Sequence, residues 1–354
     1  MSLSPLSVAY LDLPIEKGLV QLRTGPRHID DIDEIAEFVR SLSIRPLEFF
    51  RTSNVNLSWR VDHAGEQAVF SLGPKLVGDA LLPKRLAHES GFLSPLKFIH
   101  ARSLSHHARI AGIPTPQVIR AGTNGIDRPW CLQELARGQD AIEVSSENRR
   151  VVLTELGTLM ARLHNLETIC LEPMTMDAWY RRRVRLATDW LVKKRLMSKQ
   201  DSDKVRAVVE SLLSRVSDSV LTPIHGDLIE HNVFVQIKNG RPRISDITDW
   251  ETCLNRADPR YEALLTAWWA AGEFEGDPKI FQVIMNAYHA SDPPTPIDCA
   301  ELDDLLMLAD LTWYVNVLPF TYLRERHRFD SRYKSIQHIL SCHEQGLGYL
   351  PPGW

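Results

Sequence analysis

Two aspartates and an asparagine in the stretch 224–251 have the residue types and spacing of a divalent-cation site. Asn232 follows Asp227 by five residues, and Asp249 follows two short alternating apolar runs, Val233 to Ile237 and Arg243 to Thr248. Asn239-Gly240 sits midway between the runs. Asn-Gly accepts the positive φ angles of a two-residue hairpin turn, so the runs should pair antiparallel. That pairing predicts that Asn232 and Asp249 meet at the open end, with Asp227 reaching it on a loop that contains Gly226. Two carboxylates and a carboxamide are hard oxygen donors, which suit Mg²⁺ and not zinc.

The neighbouring polar residues fit structural roles. Asp246 should point to the opposite hairpin face from Asp249, because side chains alternate along a strand. His225 is expected to brace the loop through hydrogen bonds. His225 and His231 lack the thiolate or third histidine of a zinc site. Glu251 and Asp258 read as supporting residues.

An aspartate, an asparagine five residues later and a further aspartate past the next strand is also the layout of kinase phosphoryl transfer. Four segments carry the likeness further: His225-Gly226-Asp227 with Asn232, Ile247-Thr248-Asp249-Trp250-Glu251, Leu156-Gly157 through Leu163-His164, and Asp258-Pro259-Arg260-Tyr261-Glu262. In these the chain resembles the aminoglycoside phosphotransferase and choline kinase group, over about residues 50 to 270. The resemblance implies an α+β, bilobal protein-kinase-like fold. A small antiparallel-sheet lobe would occupy residues 1–136, and a mainly helical lobe 137–354.

It also implies roles. Asp227 would act as catalytic base, with Asn232 and Asp249 holding Mg²⁺ beside ATP. Ser53 and Asn56 would stand in the nucleotide loop, and backbone groups around Gln133, Glu134 and Leu135 would meet the adenine. The implied acceptor is a hydroxyl of a small molecule: an antibiotic, a natural product or an amino alcohol. A kinase acting on Ser or Thr of a biosynthetic peptide is one alternative, and a catalytically degenerate binding or scaffold protein is another.

The small lobe departs from the group's pattern at three places. Thr52 and Ser53 replace glycines that would let backbone N–H groups approach phosphate closely. Ser71 stands where the group has its phosphate-pairing Lys or Arg, and His100 or Ala101 takes the place of that cation's Glu partner. Losing both charges is coherent, because one alone would be costly to bury. Lys75, Lys84 and Lys97 are substitute cations to consider.

Composition sets the outer bounds. The 354 residues carry a formal net charge of -4, with 44% hydrophobic and 24% charged residues. This is ordinary for a globular protein and gives no reason to expect nucleic acid as a partner. Five scattered cysteines without a Cys-x-x-Cys pair read as reduced thiols, and the N-terminus lacks a signal-peptide pattern, so a cytoplasmic location is expected. Leu302 to Leu323, the longest apolar stretch, is interrupted by Asp303, Asp304, Asp310 and Asn316, so it reads as a buried helix and no membrane is implied.

Further elements follow from periodicity. Val8 to Leu13 and Gly18 to Leu22 read as short strands, Asp30 to Leu42 as a helix, and Phe49 to Val61 with Gln67 to Leu72 as adjacent strands joined near Gly65. Helices are expected over Lys97 to Ala111, Val151 to Leu166, Asp177 to Leu196 and Asp201 to Ser217. Residues 181 to 195 hold seven Arg and Lys residues against Asp189 alone. Such a run is either a solvated helix face or a seat for an anionic or peptide acceptor. A polycationic acceptor would instead want an acidic wall, for which Glu262, Glu273, Glu275 and Asp277 are the candidates.

Overall fold

The computed structural model describes residues 38–52, 57–72, 95–122, 129–167, 174–273, 277–324 and 326–350. Ser53, Asn56, Lys75, Lys84, Glu275, Trp354 and the two expected strands before residue 23 lie outside these segments. The chain divides into two compact units, Met1–Gly138 with Ser245–Thr252, and Gln139–Ile244 with Cys253–Trp354.

The first unit is built on an antiparallel sheet in the order β1-β2-β3-β5-β4. Its strands are β1 (Arg45–Thr52), β2 (Leu57–His63), β3 (Glu66–Leu72), β4 (Val118–Gly122) and β5 (Trp130–Glu134). The run expected as one strand, Phe49 to Val61, is therefore divided between β1 and β2, with Thr52 paired to Leu57. The polar Thr-Ser-Asn segment lacks the apolar alternation of a half-buried strand, and the alternation resumes at Leu57. β2 and β3 are joined at Ala64 and Gly65, with φ 55° and 88°, the left-handed pair that a tight hairpin needs.

One sheet face packs Trp59, Val61, Phe70, Leu72, Trp130 and Leu132 into a dry cluster. Phe70 stacks on Trp130 with ring centroids 5.9 Å apart. Each such side chain removed from water contributes about 1.5–3 kcal/mol. On the other face, Val118, Ala121 and Cys131 meet Phe98 of helix α1 (Pro95–Ile110).

In the second unit, α2 (Ser146–His164) buries Val152, Leu153, Leu156, Leu159, Met160 and Leu163 at helical spacing. Gly157 lets α2 approach α6 (Pro278–His289): a Cβ there would lie 2.5 Å from the Ile284 carbonyl oxygen. Between them in sequence come α3 (Met176–Lys193), α4 (Lys199–Leu213) and α5 (Pro259–Glu273). Strand β7 (Thr222–Ile224) pairs with β10 (Leu254–Ala257), and β6 (Gln139–Asp140), β8 (Val233–Lys238) and β9 (Arg241–Ile247) form a small sheet. The β8–β9 turn holds Asn239 at φ 53° and Gly240 at φ 74°, as Asn-Gly requires.

The apolar stretch near the C-terminus is α7 (Leu302–Arg324), followed by α8 (Phe329–Glu344). Leu305, Leu306, Leu308, Leu311, Val315 and Leu318 of α7 are buried within the protein. Among the described residues no helix is long and apolar enough to cross a membrane. Cys131, Cys253, Cys299 and Cys342 are free thiols.

Asp310, on α7, is buried and accepts a short hydrogen bond from the Tyr349 hydroxyl through Oδ2, while Oδ1 has no partner among the described residues. Desolvation raises its pKa to about 6, although the Tyr349 bond works in the opposite direction. A carboxyl raised above its unfolded value favours folding when protonated. That contribution is fully present below about pH 4 and lost as pH rises through about 6. Asp310→Asn should therefore unfold at higher urea than the parent protein at pH 7.5, with the gap closing towards pH 4.5. A gap independent of pH would refute the assignment.

Candidate active site

The loop between β7 and β8 carries the sequence-predicted residues of the second unit. Gly226 takes φ 85°, a conformation that glycine adopts without penalty, and the chain reverses there into Asp227. The Asp227 carbonyl accepts from Ile229 N at 3.0 Å, and Ile229 O accepts from Asn232 N at 2.9 Å. These bonds wind residues 230–232 into a short 3₁₀ turn that ends at the start of β8.

This turn brings Asn232 back onto Asp227. The Asn232 carboxamide donates through Nδ2 to the Asp227 backbone oxygen at 2.8 Å and to Oδ2 at 3.2 Å. Its orientation is thus fixed by two bonds, and Asn232 is buried while Asp227 is half-buried. Beside them, His231 Nδ1 lies 3.1 Å from Oδ2 of Asp140 on β6.

The loop backbone is held by a residue the sequence assigned elsewhere. Glu262, in the first turn of α5, is buried, and Oε2 accepts from His225 N at 3.1 Å. Its Oε1 accepts a short hydrogen bond from Gly226 N. His164 Nε2, at the end of α2, lies 2.9 Å from Oε2, and His164 Nδ1 lies 2.9 Å from the Tyr288 hydroxyl. Burial alone would raise the Glu262 carboxyl, but the hydrogen bond from His164, the nearby histidines and the Gly226 amide together hold it below the usual range.

Glu262 is therefore no part of an acidic wall for a cationic acceptor. Asp277 caps α6, accepting from Lys279 N at 2.9 Å. The signal for this network lay in α2. His164 falls on the apolar stripe four residues after Met160, and a buried imidazole demands polar partners.

His225 is fully buried, and its Nδ1 accepts from Asp227 N at 3.4 Å, which braces the loop as expected. Asp258 and Arg260 form a buried ion pair, with Nε to Oδ1 at 3.0 Å, and the Tyr180 hydroxyl adds a bond to Asp258 at 3.2 Å. Tyr261 is buried, which pushes its phenol up; Arg183 opposes that shift, while Asp310, Glu262 and Asp227 add to it.

In the first unit, Asp249 follows β9 with φ 62°, a left-handed conformation that is uncommon outside glycine and tolerated by aspartate. Trp250 next to it is buried and donates through Nε1 to Ile247 O at 3.0 Å. Asp246 accepts from Arg137 N at 2.9 Å and from its guanidinium at 3.3 Å, the structural role expected of it.

Ser71 is buried and hydrogen-bonded to Ser58 across the sheet at 3.1 Å, so that position carries no cation. Ala101 on α1 is also fully buried. Gln133 is paired to both Val69 and Val118, and the Glu134 N–H donates to Gln117 O at 2.9 Å. The Glu134 N–H thus serves the sheet, and Leu135 is the first residue past the strand.

Residues 85–300, more than half of the chain, match the model of the phosphotransferase enzyme family. The chain belongs to that family. It is a phosphotransferase. No curated protein matches its sequence.

Solved structures are similar to it in fold. A thermostable mutant of aminoglycoside phosphotransferase APH(4)-Ia, apo form, superposes with a TM-score of 0.62 at 14% identity, covering 86% of this chain and 98% of that one. The GDP and kanamycin complex of APH(2″)-IIia gives 0.58 at 13%, covering 87% and 97%. Spectinomycin phosphotransferase APH(9)-Ia, in complex with ADP and spectinomycin, gives 0.53 at 12%, covering 92% and 96%. The phosphotransferase thus has the α+β, protein-kinase-like architecture that its motifs implied.

Proposed function

We propose that this phosphotransferase moves the γ-phosphate of ATP to a hydroxyl of a small molecule, with Asp227 as base. The observation that carries the reading is the locked pair of Asp227 and Asn232, on a loop whose amides end on the buried carboxylate of Glu262. Asp227 orients the acceptor hydroxyl and takes its proton as the oxygen attacks phosphorus. Half-burial keeps the carboxylate within reach of an acceptor while limiting its freedom to rotate.

The donor set fits Mg²⁺. Asn232 commits its amide nitrogen to Asp227, so the carboxamide oxygen is the atom it would present to a cation. Asp249 would add a carboxylate, and its left-handed backbone is the kind of strain found at functional positions. When bound, Mg²⁺ neutralises charge on the transferred phosphoryl group. Ser71 makes this more important, because β3 supplies no positive charge to the phosphates. For the adenine, the backbone beyond β5, beginning at Leu135, is favoured over Gln133. Ser53 and Asn56 remain proposed phosphate contacts.

The structural relatives include complexes with AMP-PNP and hygromycin B and with ADP and spectinomycin. These support ATP as donor and a compact hydroxylated acceptor such as an antibiotic, a natural product or an amino alcohol. The test is phosphate transfer from ATP to pooled acceptors of these classes, followed by mass spectrometry. Transfer that stops on magnesium chelation is expected. Tight ATP binding without transfer to any alcohol would refute the reading.

A further inference from the structure

A second feature of the helical unit is absorbed by neither the catalytic loop nor its supports. The groove between α3 and α4 encloses about 710 Å³, and four arginines line it against one glutamate. Arg181, Arg182 and Arg185 come from α3, and Arg206 comes from α4. Ala178, Arg181, Arg182 and Arg185 follow the i, i+3, i+4, i+7 spacing that puts side chains on one helix face. Met174 and Ala178 provide accessible apolar surface beside the charges.

Two ties between the helices bracket this face. Arg181 grips Glu210 with Nε and Nη2, both at 2.8 Å in their shortest contacts, and it also meets Asp177 at 3.1 Å. Two turns along, Arg206 donates to the Thr188 hydroxyl at 2.8 Å and to Asp189 at 2.6 Å. Asp177, Glu210 and Asp189 are thereby engaged with Arg181 and Arg206. Arg185 lies midway, four residues from Arg181 and four from Asp189, and its guanidinium has no ion pair among the described residues.

We propose that this groove binds a small organic oxyanion, with the anionic head on Arg185 and Arg182 and the apolar body against Met174 and Ala178. A guanidinium is a planar fork of donors matched to phosphate and carboxylate, and it is more weakly hydrated than an ammonium. Walls of mixed apolar and cationic character, around a volume within the range of small-molecule sites, distinguish the groove from a convex solvated face. The chain is acidic overall, at -4, so the positive charge is local to this part of the surface. No residue of the loop 224–232 lines the groove, so the site stands apart from the proposed reaction.

The full chain is titrated calorimetrically with phenyl phosphate in low-salt buffer, with benzoate and benzyl alcohol as the carboxylate and uncharged arms. Saturable binding of at least one anion is expected, and the stronger arm identifies the head group. Arg182→Gln/Arg185→Gln should weaken it by at least about tenfold, the loss expected for a charge-assisted hydrogen-bonded head group. If that double variant does not fold, the exposed Arg185→Gln alone decides. Ala178→Phe, which fills the floor, should weaken binding too, while Asp227→Ala should leave it unchanged, separating this site from catalysis.

Absence of saturable binding by both anions overturns the proposal. So does equal affinity for benzyl alcohol, or binding indifferent to the arginine variants. Loss in the arginine variants without loss in Ala178→Phe would place the anion outside the groove and would also overturn it. Loss of binding in Asp227→Ala would move the anion to the catalytic loop, with the same consequence.

Discussion

Asp227→Ala is expected to lower kcat for phosphate transfer by about 10²–10⁴-fold, the span that positioned general base catalysis contributes. The side chain is half-buried, and its Oδ2 takes the weaker, 3.2 Å bond from Asn232. The stronger Asn232 bond, at 2.8 Å, goes to the Asp227 backbone oxygen and survives the substitution. Loop geometry and melting temperature should therefore change little, and KM for ATP should stay within a few-fold. The measurement is steady-state kinetics beside thermal unfolding of the same preparation. Near-normal turnover in a folded Asp227→Ala protein would remove the base from the mechanism.

Glu262→Gln should cost about 3–5 kcal/mol of stability, the scale seen when one partner leaves a buried charged network. The carboxylate accepts from His225 N, Gly226 N and His164 Nε2, so all three groups point donors at it. A carboxamide of the same shape replaces one acceptor oxygen with an NH₂ that faces these donors. At least one buried N–H then loses its bond, at about 1–3 kcal/mol, and the loop carrying Asp227 loosens with it. Urea unfolding measures the first effect, and kcat at saturating ATP measures the second.

The pH dependence separates this account from simple loss of packing. The Glu262 carboxyl is held below its ordinary value, despite burial, by His164 and the loop amides. A lowered carboxyl contributes stability that is present above its unfolded pKa, near 4.3, and is lost as pH falls through the folded value. The parent protein should therefore lose an increment of stability on the acid side that Glu262→Gln does not lose. Parallel acid-side slopes would contradict the assignment.

The Asp310 carboxyl has the opposite sign for an equally physical reason. It is buried with one hydroxyl donor, so desolvation wins and raises it, whereas Glu262 has three donors and desolvation loses. Both residues are acidic, and both lie within helices. Burial and partner number decide between them, and neither quantity is visible in a residue's immediate neighbours in sequence.

The features legible in the sequence were those set locally. Asn239-Gly240 specified a turn because few residue pairs accept two successive positive φ angles, and the flanking alternation fixed strand type. The spacing of Asp227, Gly226 and Asn232 was also local: a tight turn returns the asparagine to the aspartate within five residues. Leu302 to Leu323 read correctly as a buried helix, because its aspartates would be too costly in a bilayer.

Tertiary structure decided which carboxylates hold the protein together. Glu262 resembled any acidic residue in the first turn of a helix until α2 brought His164 to it from 98 positions away. Asp277, another candidate for an acidic wall, became a helix cap. The basic run on α3 likewise acquired meaning only when α4 supplied Arg206 and Glu210 opposite it. Sequence patterns encode turns and faces through steric and hydrophobic preferences over a few residues. Charge partners depend on which distant faces meet, and that is determined only by packing of the whole unit.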